Sequence, residues 1–156
     1  SLGLTQIDLS NNVALKSINC SDNNLSSLDL SNLVNLENLD CSYNNLNNIQ
    51  INSTLLTYLS CHENNLTTLD ISQSSGLIKL SCFKNAITSI DLSNNLNLEN
   101  LQISSNQLTT LDISNNLELT YVECQNNPVT CIKVNEAQLE NNWSFCSQTL
   151  FSLECD

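Results

Sequence analysis

The sequence predicts a mainly β solenoid of about six 21-residue coils, with parallel strands on both sides, little or no helix, weak curvature and a C-terminal cap. Three observations lead there. One unit recurs from Leu4, Leu25, Leu46, Leu66, Ile87 and Leu108, approximately L-x-x-L-D-L-S-x-N-x-x-L-x-x-L-x-C-S-x-N-x, with one residue missing from the third copy. A coil this short cannot bury its own apolar face, so the copies must stack around a continuous core. Each unit holds two runs of alternating apolar and polar residues, the strand signature, and two strands with two turns leave no room for a helix. With two Gly and one Pro in 156 residues, the turns fall to Asn, Ser and Asp, which accept tight-turn geometry and bond their own backbone.

The first run of each coil is the L-D-[LI]-S stretch: Ile7-Asp8-Leu9, Leu28-Asp29-Leu30, Leu69-Asp70-Ile71, Ile90-Asp91-Leu92 and Leu111-Asp112-Ile113, with the Asp column broken at Gln50. The second is Ile18-Asn19-Cys20, Leu39-Asp40-Cys41, Leu59-Ser60-Cys61, Leu80-Ser81-Cys82, Leu101-Gln102-Ile103 and Val122-Glu123-Cys124. Strands on both sides would repeat at about 4.8 Å, giving a stack on the order of 30 Å long. Equal spacing on the two sides predicts a nearly straight or gently twisted prism. After every second run comes an Asn: Asn23, Asn44, Asn64, Asn85, Asn106 and Asn127. Stacked amides at a turn can donate to and accept from backbone groups that no strand reaches, so this column is read as a structural ladder. Residues 1–128 form the solenoid and 129–156 the cap, together one structural domain.

The stretch Leu36-Glu37-Asn38-Leu39-Asp40-Cys41-Ser42-Tyr43-Asn44-Asn45-Leu46 resembles the leucine-rich repeat. The 21-residue period, the nested L-x-x-L-D-L half and the inward Cys are most similar to the IRREKO type and to cysteine-ladder internalin repeats, over Leu4 to Pro128. From Thr130-Cys131-Ile132-Lys133-Val134 through Asn142-Trp143-Ser144 to Cys155, the chain resembles the cap that ends such repeats in secreted proteins of the Bacteroidetes. The resemblance implies a non-enzymatic recognition module, bacterial, exported or surface-displayed. It also implies a disulfide between Cys131 and Cys155, closing the last loop, and hence an oxidising location. The partner of Cys146 stays open. Trp143, Phe145 and Phe151 are expected to cover the apolar end of the stack.

Cys20, Cys41, Cys61, Cys82 and Cys124 share one inward column, with Ile103 as the odd rung. In-register neighbours about 4.8 Å apart are poorly placed for a disulfide, which prefers about 3.8 Å between Cβ atoms. The five are therefore expected to be free thiols acting as small hydrophobes, and a single-file column cannot surround a tetrahedral metal ion. At the other end no cap is evident. Coil one would present Leu4, Ile7, Leu9 and Leu15 with open strand edges, an aggregation liability, so either upstream sequence has been removed or two chains meet end to end as a homo-oligomer.

Four Lys against 16 Asp plus Glu give a formal charge of −12, which argues against nucleic acid or an anionic membrane as partner. No apolar run approaches a membrane span. The chain opens mid-pattern at Ser1 without Met or a signal peptide, as a mature or excised segment does. No cofactor is implied; stacked Asp could associate weakly with Ca²⁺, although Ser and Thr flank each one.

The outward residues of the two sides differ. Those of the D-L-S side are small and repetitive, whereas the Cys side and its edge carry Tyr43, Tyr58, His62, Lys79, Phe83, Lys84, Gln102, Tyr121 and Glu123. Register should place His62 beside Phe83 and Tyr58 beside Lys79, as one patch on the middle coils. Exposed rings with polar neighbours suit a protein hot spot or a sugar. The expected function is recognition of a protein or polysaccharide through that face. The alternative is a structural adhesion or assembly segment that self-associates through its N-terminal coil. Catalysis on an acidic polysaccharide would need convergent acids with a base or Arg, and the chain has no Arg.

Overall fold

The computed structural model describes residues 2–141, 143, 146, 147 and 150–155. Its strands, in chain order, are β1 (Ser17–Asn19), β2 (Leu28–Leu30), β3 (Asn38–Asp40), β4 (Ile49–Ile51), β5 (Tyr58–Ser60), β6 (Lys79–Ser81), β7 (Asn100–Gln102), β8 (Thr110–Asp112), β9 (Tyr121–Glu123), β10 (Cys131–Lys133) and β11 (Phe151–Ser152). Among the described residues helix is confined to 3₁₀ turns, of which Glu136–Gln138 is described in full. The mainly β parallel solenoid is therefore the fold, because each coil uses its apolar alternation to bury one row of residues from each side.

The Cys side forms one six-stranded parallel sheet in the order β1-β3-β5-β6-β7-β9. Its register advances one repeat per strand, aligning Ile18, Leu39, Leu59, Leu80, Leu101 and Val122. Behind them lie columns such as Leu25, Leu46, Leu66, Ile87 and Leu108, all 0% exposed. Each such side chain contributes roughly 1.5–3 kcal/mol by burial. That outweighs a recurring cost: Asp22, Tyr43, Glu63, Lys84, Ser105 and Asn126 all take left-handed backbone, φ +52° to +57°, at about 1–2 kcal/mol apiece.

The left-handed residue turns the chain so that the next Asn points inward. Asn44 Nδ2 donates to the carbonyls of Cys20, Cys41 and Ser42 at 3.0–3.1 Å, and its Oδ1 accepts the Leu25 amide at 3.0 Å. Asn64, Asn85, Asn106 and Asn127 repeat the pattern, each accepting an amide from the coil before it.

The other side departs from expectation. Among the described residues ladders form only as β2-β4, in coils two and three, and as β8-β10-β11 at the cap end, while 7–9 in coil one form no strand. In coils four and five, 69–71 and 90–92 keep the inward burial but form no strand. The inter-coil bonds on this side are long, 3.4 Å from Thr88 N to Thr67 O and also from Asn47 N to Ser26 O beside β2-β4, against 2.8 Å for Cys61 N to Ser81 O and Cys82 N to Gln102 O on the other side. Each Asp here accepts the amide of the Ser two residues on, as Asp70 does from Ser72 at 3.0 Å and Asp91 from Ser93 at 2.9 Å. The same bond is made by Asp29 and Asp112, whose strands do pair, so it shapes the turn in every coil and does not decide where the ladder forms.

A second polar ladder runs down the opposite corner. Asn95 Nδ2 donates to Ile71 O and Ser74 O, Asn116 Nδ2 to Leu92 O and Asn95 O, and Gln138 Nε2 to Ile113 O and Asn116 O. Ser53 is a shorter rung, bonded to Val34 O and Leu36 O. Where Ser74 stands in the column, its Oγ and Asn95 Oδ1 are buried without a partner among the described residues. This weak rung borders the stretch in which the second sheet fails. Gly76 lies beside it because a Cβ there would sit 2.8 Å from Thr54 O.

The cap begins with β10 on β8, and β11 pairs with β10. Asn135 and Gln138 cap the short 3₁₀ turn reciprocally, so the same Gln both closes the turn and ends the second ladder. Trp143, 5% exposed, packs edge-on against Phe151 with ring centroids 5.5 Å apart; Phe145 lies outside the described residues. Cys131 is joined to Cys155. Cys124 is not the free thiol expected of its column but is joined to Cys146, with Cα atoms 5.3 Å apart. The reason is positional. Cys124 is the last rung, and the cap, which follows no repeat, sets a cysteine above it. Cys20, Cys41, Cys61 and Cys82 are free and buried. Burial pushes the Cys82 thiol up to about 12 and Cys20 to about 11, with Cys41 and Cys61 also well raised.

Candidate functional site

The outward face of the six-stranded sheet is laid out by its register. Asn38, Tyr58, Lys79, Asn100 and Tyr121 stand side by side at the strand starts, and Asp40, Ser60, Ser81, Gln102 and Glu123 at the strand ends. Just beyond the strands follow His62 and Phe83, then the left-handed Tyr43, Glu63 and Lys84.

Three of the expected residues form a ring cluster. His62 stacks on Phe83 at 4.2 Å with 13° between planes, and Tyr43 meets His62 edge-on at 5.1 Å and 80°. The left-handed backbone at Tyr43 turns its ring toward the next coil. Beneath the imidazole, Nδ1 shares a hydrogen bond with Ser60 Oγ at 2.9 Å and lies 3.5 Å from Ser81 Oγ. Both serines are nearly buried although they stand on the outward row, 1% and 9% exposed. Burial holds the His62 imidazole below its ordinary 6.5, with Lys84 acting in the same direction and Asp40 and Glu63 against it.

Tyr58 and Lys79 are register neighbours on the other rim. Neither takes part in the ring contacts described for Tyr43, His62 and Phe83. Position 79 to position 83 is four residues of extended chain, about 13 Å at strand rise, and Ser60 and Ser81 occupy the floor between. The face is thus a shallow trough with an aromatic rim and a donor-rich rim. Lys84, exposed, is ion-paired with Glu63. Half-buried Gln102 lies in register between Ser81 and Glu123. The Tyr121 hydroxyl donates to Glu123 Oε1, which raises its pKa. Sequence reasoning missed Ser60 and Ser81, which set the height and tilt of His62, and Asn38 and Asn100, which flank the Tyr58–Lys79 pair. The period placed them, but their small polar side chains gave no chemical signal.

The opposite face offers less. Asp8, Asp29, Asp70, Asp91 and Asp112 each accept the amide of the Ser two residues on, which explains why the two residue types recur together. Hydrogen bonds from the hydroxyl and the amide of that Ser hold the carboxyls of Asp29 and Asp91, and from its amide and hydroxyl those of Asp8 and Asp70, below their ordinary 3.8. Among the described residues no group of three or more His, Cys, Asp or Glu is placed to hold a metal ion, and no helix is long and apolar enough to cross a membrane. A hollow of about 460 Å³ lined by Cys124, Val129, Cys146 and Leu150 lies at the cap and away from the ring cluster. The candidate site is consequently an open face and not a pocket.

No protein-family model and no curated protein matches the chain. Solved structures do. The leucine-rich repeat domain of APL1B is 28% identical with a TM-score of 0.71, over 86% of this chain and 41% of that one. A leucine-rich repeat protein of Leptospira interrogans is 25% identical with a TM-score of 0.68, over 77% of this chain and 33% of that one. The functional domain of InlJ from Listeria monocytogenes, described as including a cysteine ladder, is 28% identical over 83% of this chain and 41% of that one; its TM-score of 0.45 is too low to carry weight. The chain spans between a third and about two fifths of the length of these structures. Its structural neighbours are leucine-rich repeat proteins.

Proposed function

We propose that this chain is a non-enzymatic recognition module, exported or displayed at a bacterial cell surface, that binds its ligand through the face carrying Tyr43, Tyr58, His62, Lys79, Phe83, Lys84, Gln102 and Tyr121. The observation that carries the proposal is the asymmetry of the two faces. One repeats Asp and Ser that serve their own turns, while the other gathers all three Tyr, the single His and two of the four Lys. Turn-forming residues explain themselves structurally; exposed rings that vary from coil to coil do not. Two disulfides support an oxidising compartment.

Between protein and glycan, the ring geometry favours protein. His62 and Phe83 each cover one face of the other, so the stacked pair stands as an apolar ridge with fewer open ring faces than isolated rings would offer. A flat sugar face stacks on an open ring face, whereas a ridge suits side-chain pockets on a protein surface. The test is binding of the native chain and a Tyr58→Ala/Phe83→Ala variant to a glycan array and to a panel of surface proteins. Binding to protein that disappears in the folded variant supports the reading; glycan binding that disappears instead would reassign the ligand class.

A second reading is assembly through the N-terminal coil. Leu2 is 85% exposed, Leu4 36% and Val13 52%, and β1 is an open edge of the six-stranded sheet. Concentration-dependent association in light scattering, abolished by Leu2→Lys/Leu4→Lys, would support it.

A further inference from the structure

Three of the four lysines are neutralised by a neighbouring coil: Lys16 by Glu37 at 2.7 Å, Lys84 by Glu63, and Lys133 by Asp112 at 3.6 Å. Lys79 has no carboxylate partner among the described residues. It is exposed, at the start of β6, with Tyr58 on one side and Asn100 on the other. Asn38 and Tyr121 extend the same row. Around Lys79 this rim is therefore a short line of donors, Tyr58, Lys79 and Asn100, whereas the Tyr121 hydroxyl at its end is already bonded to Glu123, on a chain whose formal charge is −12. An acidic protein that pairs its other lysines and leaves this one open has a local positive site in a repulsive field.

We infer that Lys79, flanked by Tyr58 and Asn100, is the seat for a single carboxylate of an extended segment in a protein partner, and that the same segment sets an apolar side chain against the His62–Phe83 ridge. The inference rests on the recognition reading above and makes it specific. Two features set the ligand class. The net charge repels a polyacid, so the acid must be isolated in an otherwise neutral or basic segment. The two rims are about 13 Å apart, which an extended chain crosses in about four residues. The partner segment thus carries one Asp or Glu about four residues from an aromatic or large aliphatic residue, with small polar residues over Ser60 and Ser81. Lys79 supplies charge and donors to an end of the segment that the rings cannot reach.

The experiment is selection of a phage-displayed library of linear peptides against the folded chain, followed by affinities for native, Phe83→Ala, Lys79→Gln and Lys79→Arg proteins. Peptides whose binding needs Phe83 should share an Asp or Glu about four positions from an apolar residue. Their affinity should fall about tenfold in Lys79→Gln, as loss of a charged hydrogen bond predicts, and recover in Lys79→Arg. Replacing the peptide acid by its amide should cost the same factor in the native protein and nothing further in Lys79→Gln. Phe83-dependent peptides with no acid, or indifferent to Lys79→Gln, would overturn the role of Lys79 and leave the face as the binding site. A library that yields no Phe83-dependent peptide would overturn both.

Discussion

At the scale of single residues, one side chain per coil closes the corner of the Cys side. Asn106, 2% exposed, donates to Cys82 O, Ile103 O and Ser104 O and accepts the Ile87 amide. Asn106→Ala leaves the Ile87 amide buried without a partner and removes one of two donors from each of the three carbonyls, which keep Asn85 Nδ2, Asn127 Nδ2 and the Lys84 amide, a loss of about 2 kcal/mol, measurable as a lower urea midpoint at unchanged slope. His62 makes stability depend on pH with a definite sign. Its folded-state pKa lies below the ordinary 6.5, so on acidification the unfolded chain takes the proton first. Stability is full above about pH 6.5 and declines as pH falls toward the lower folded value. Thermal melts from pH 7.5 to 5 should show this decline in the native chain and not in His62→Gln. The aspartates on the other face are held below 3.8, so their contribution is lost only at more acidic pH. Calcium at millimolar concentration should leave the melting temperature unchanged, since each of those aspartates already holds a serine amide.

At the scale of elements, the cysteines separate into a buried column and a cap. Iodoacetamide at pH 8 should leave the native chain unlabelled at Cys41, Cys61 and Cys82, which are 0% exposed and have raised pKa values. In urea without reductant, peptide mapping should find four labelled positions, Cys20, Cys41, Cys61 and Cys82. Label on Cys124 or Cys146 would contradict their bond. The Cys column was legible as buried because Ile103 stands in it and because five inward positions coincide. The bond to Cys146 was not, because it depends on how the cap crosses the last coil, and the cap has no period. The second sheet was over-read for a related reason. Alternation at 69–71 and 90–92 reports which side chains are buried, and that burial occurs there without a ladder. The second polar ladder, Ser53 to Gln138, was missed because Asn is so frequent at the turns that Asn95 and Asn116 do not stand out.

At the scale of the whole molecule, a regular stack makes neighbours of residues one repeat apart, so a row of surface chemistry is written in the sequence at intervals of 20 or 21. That is why the Tyr58–Lys79 and His62–Phe83 neighbours could be read before any coordinates. The spacing from 79 to 83 also separates the two pairs along the strand, but the buried Ser60 and Ser81 beneath His62 carry no signal in the sequence. The central claim is that this trough recognises a partner while the Asp-Ser face serves only its own turns. The most direct measurement is a binding titration of a surface protein captured by the native chain, repeated with Phe83→Ala on the trough and Ser93→Ala on the opposite face, both checked for native melting. The account predicts that Phe83→Ala weakens binding at least tenfold and Ser93→Ala leaves it unchanged. Equal binding by Phe83→Ala and the native chain, or loss through Ser93→Ala alone, would contradict it.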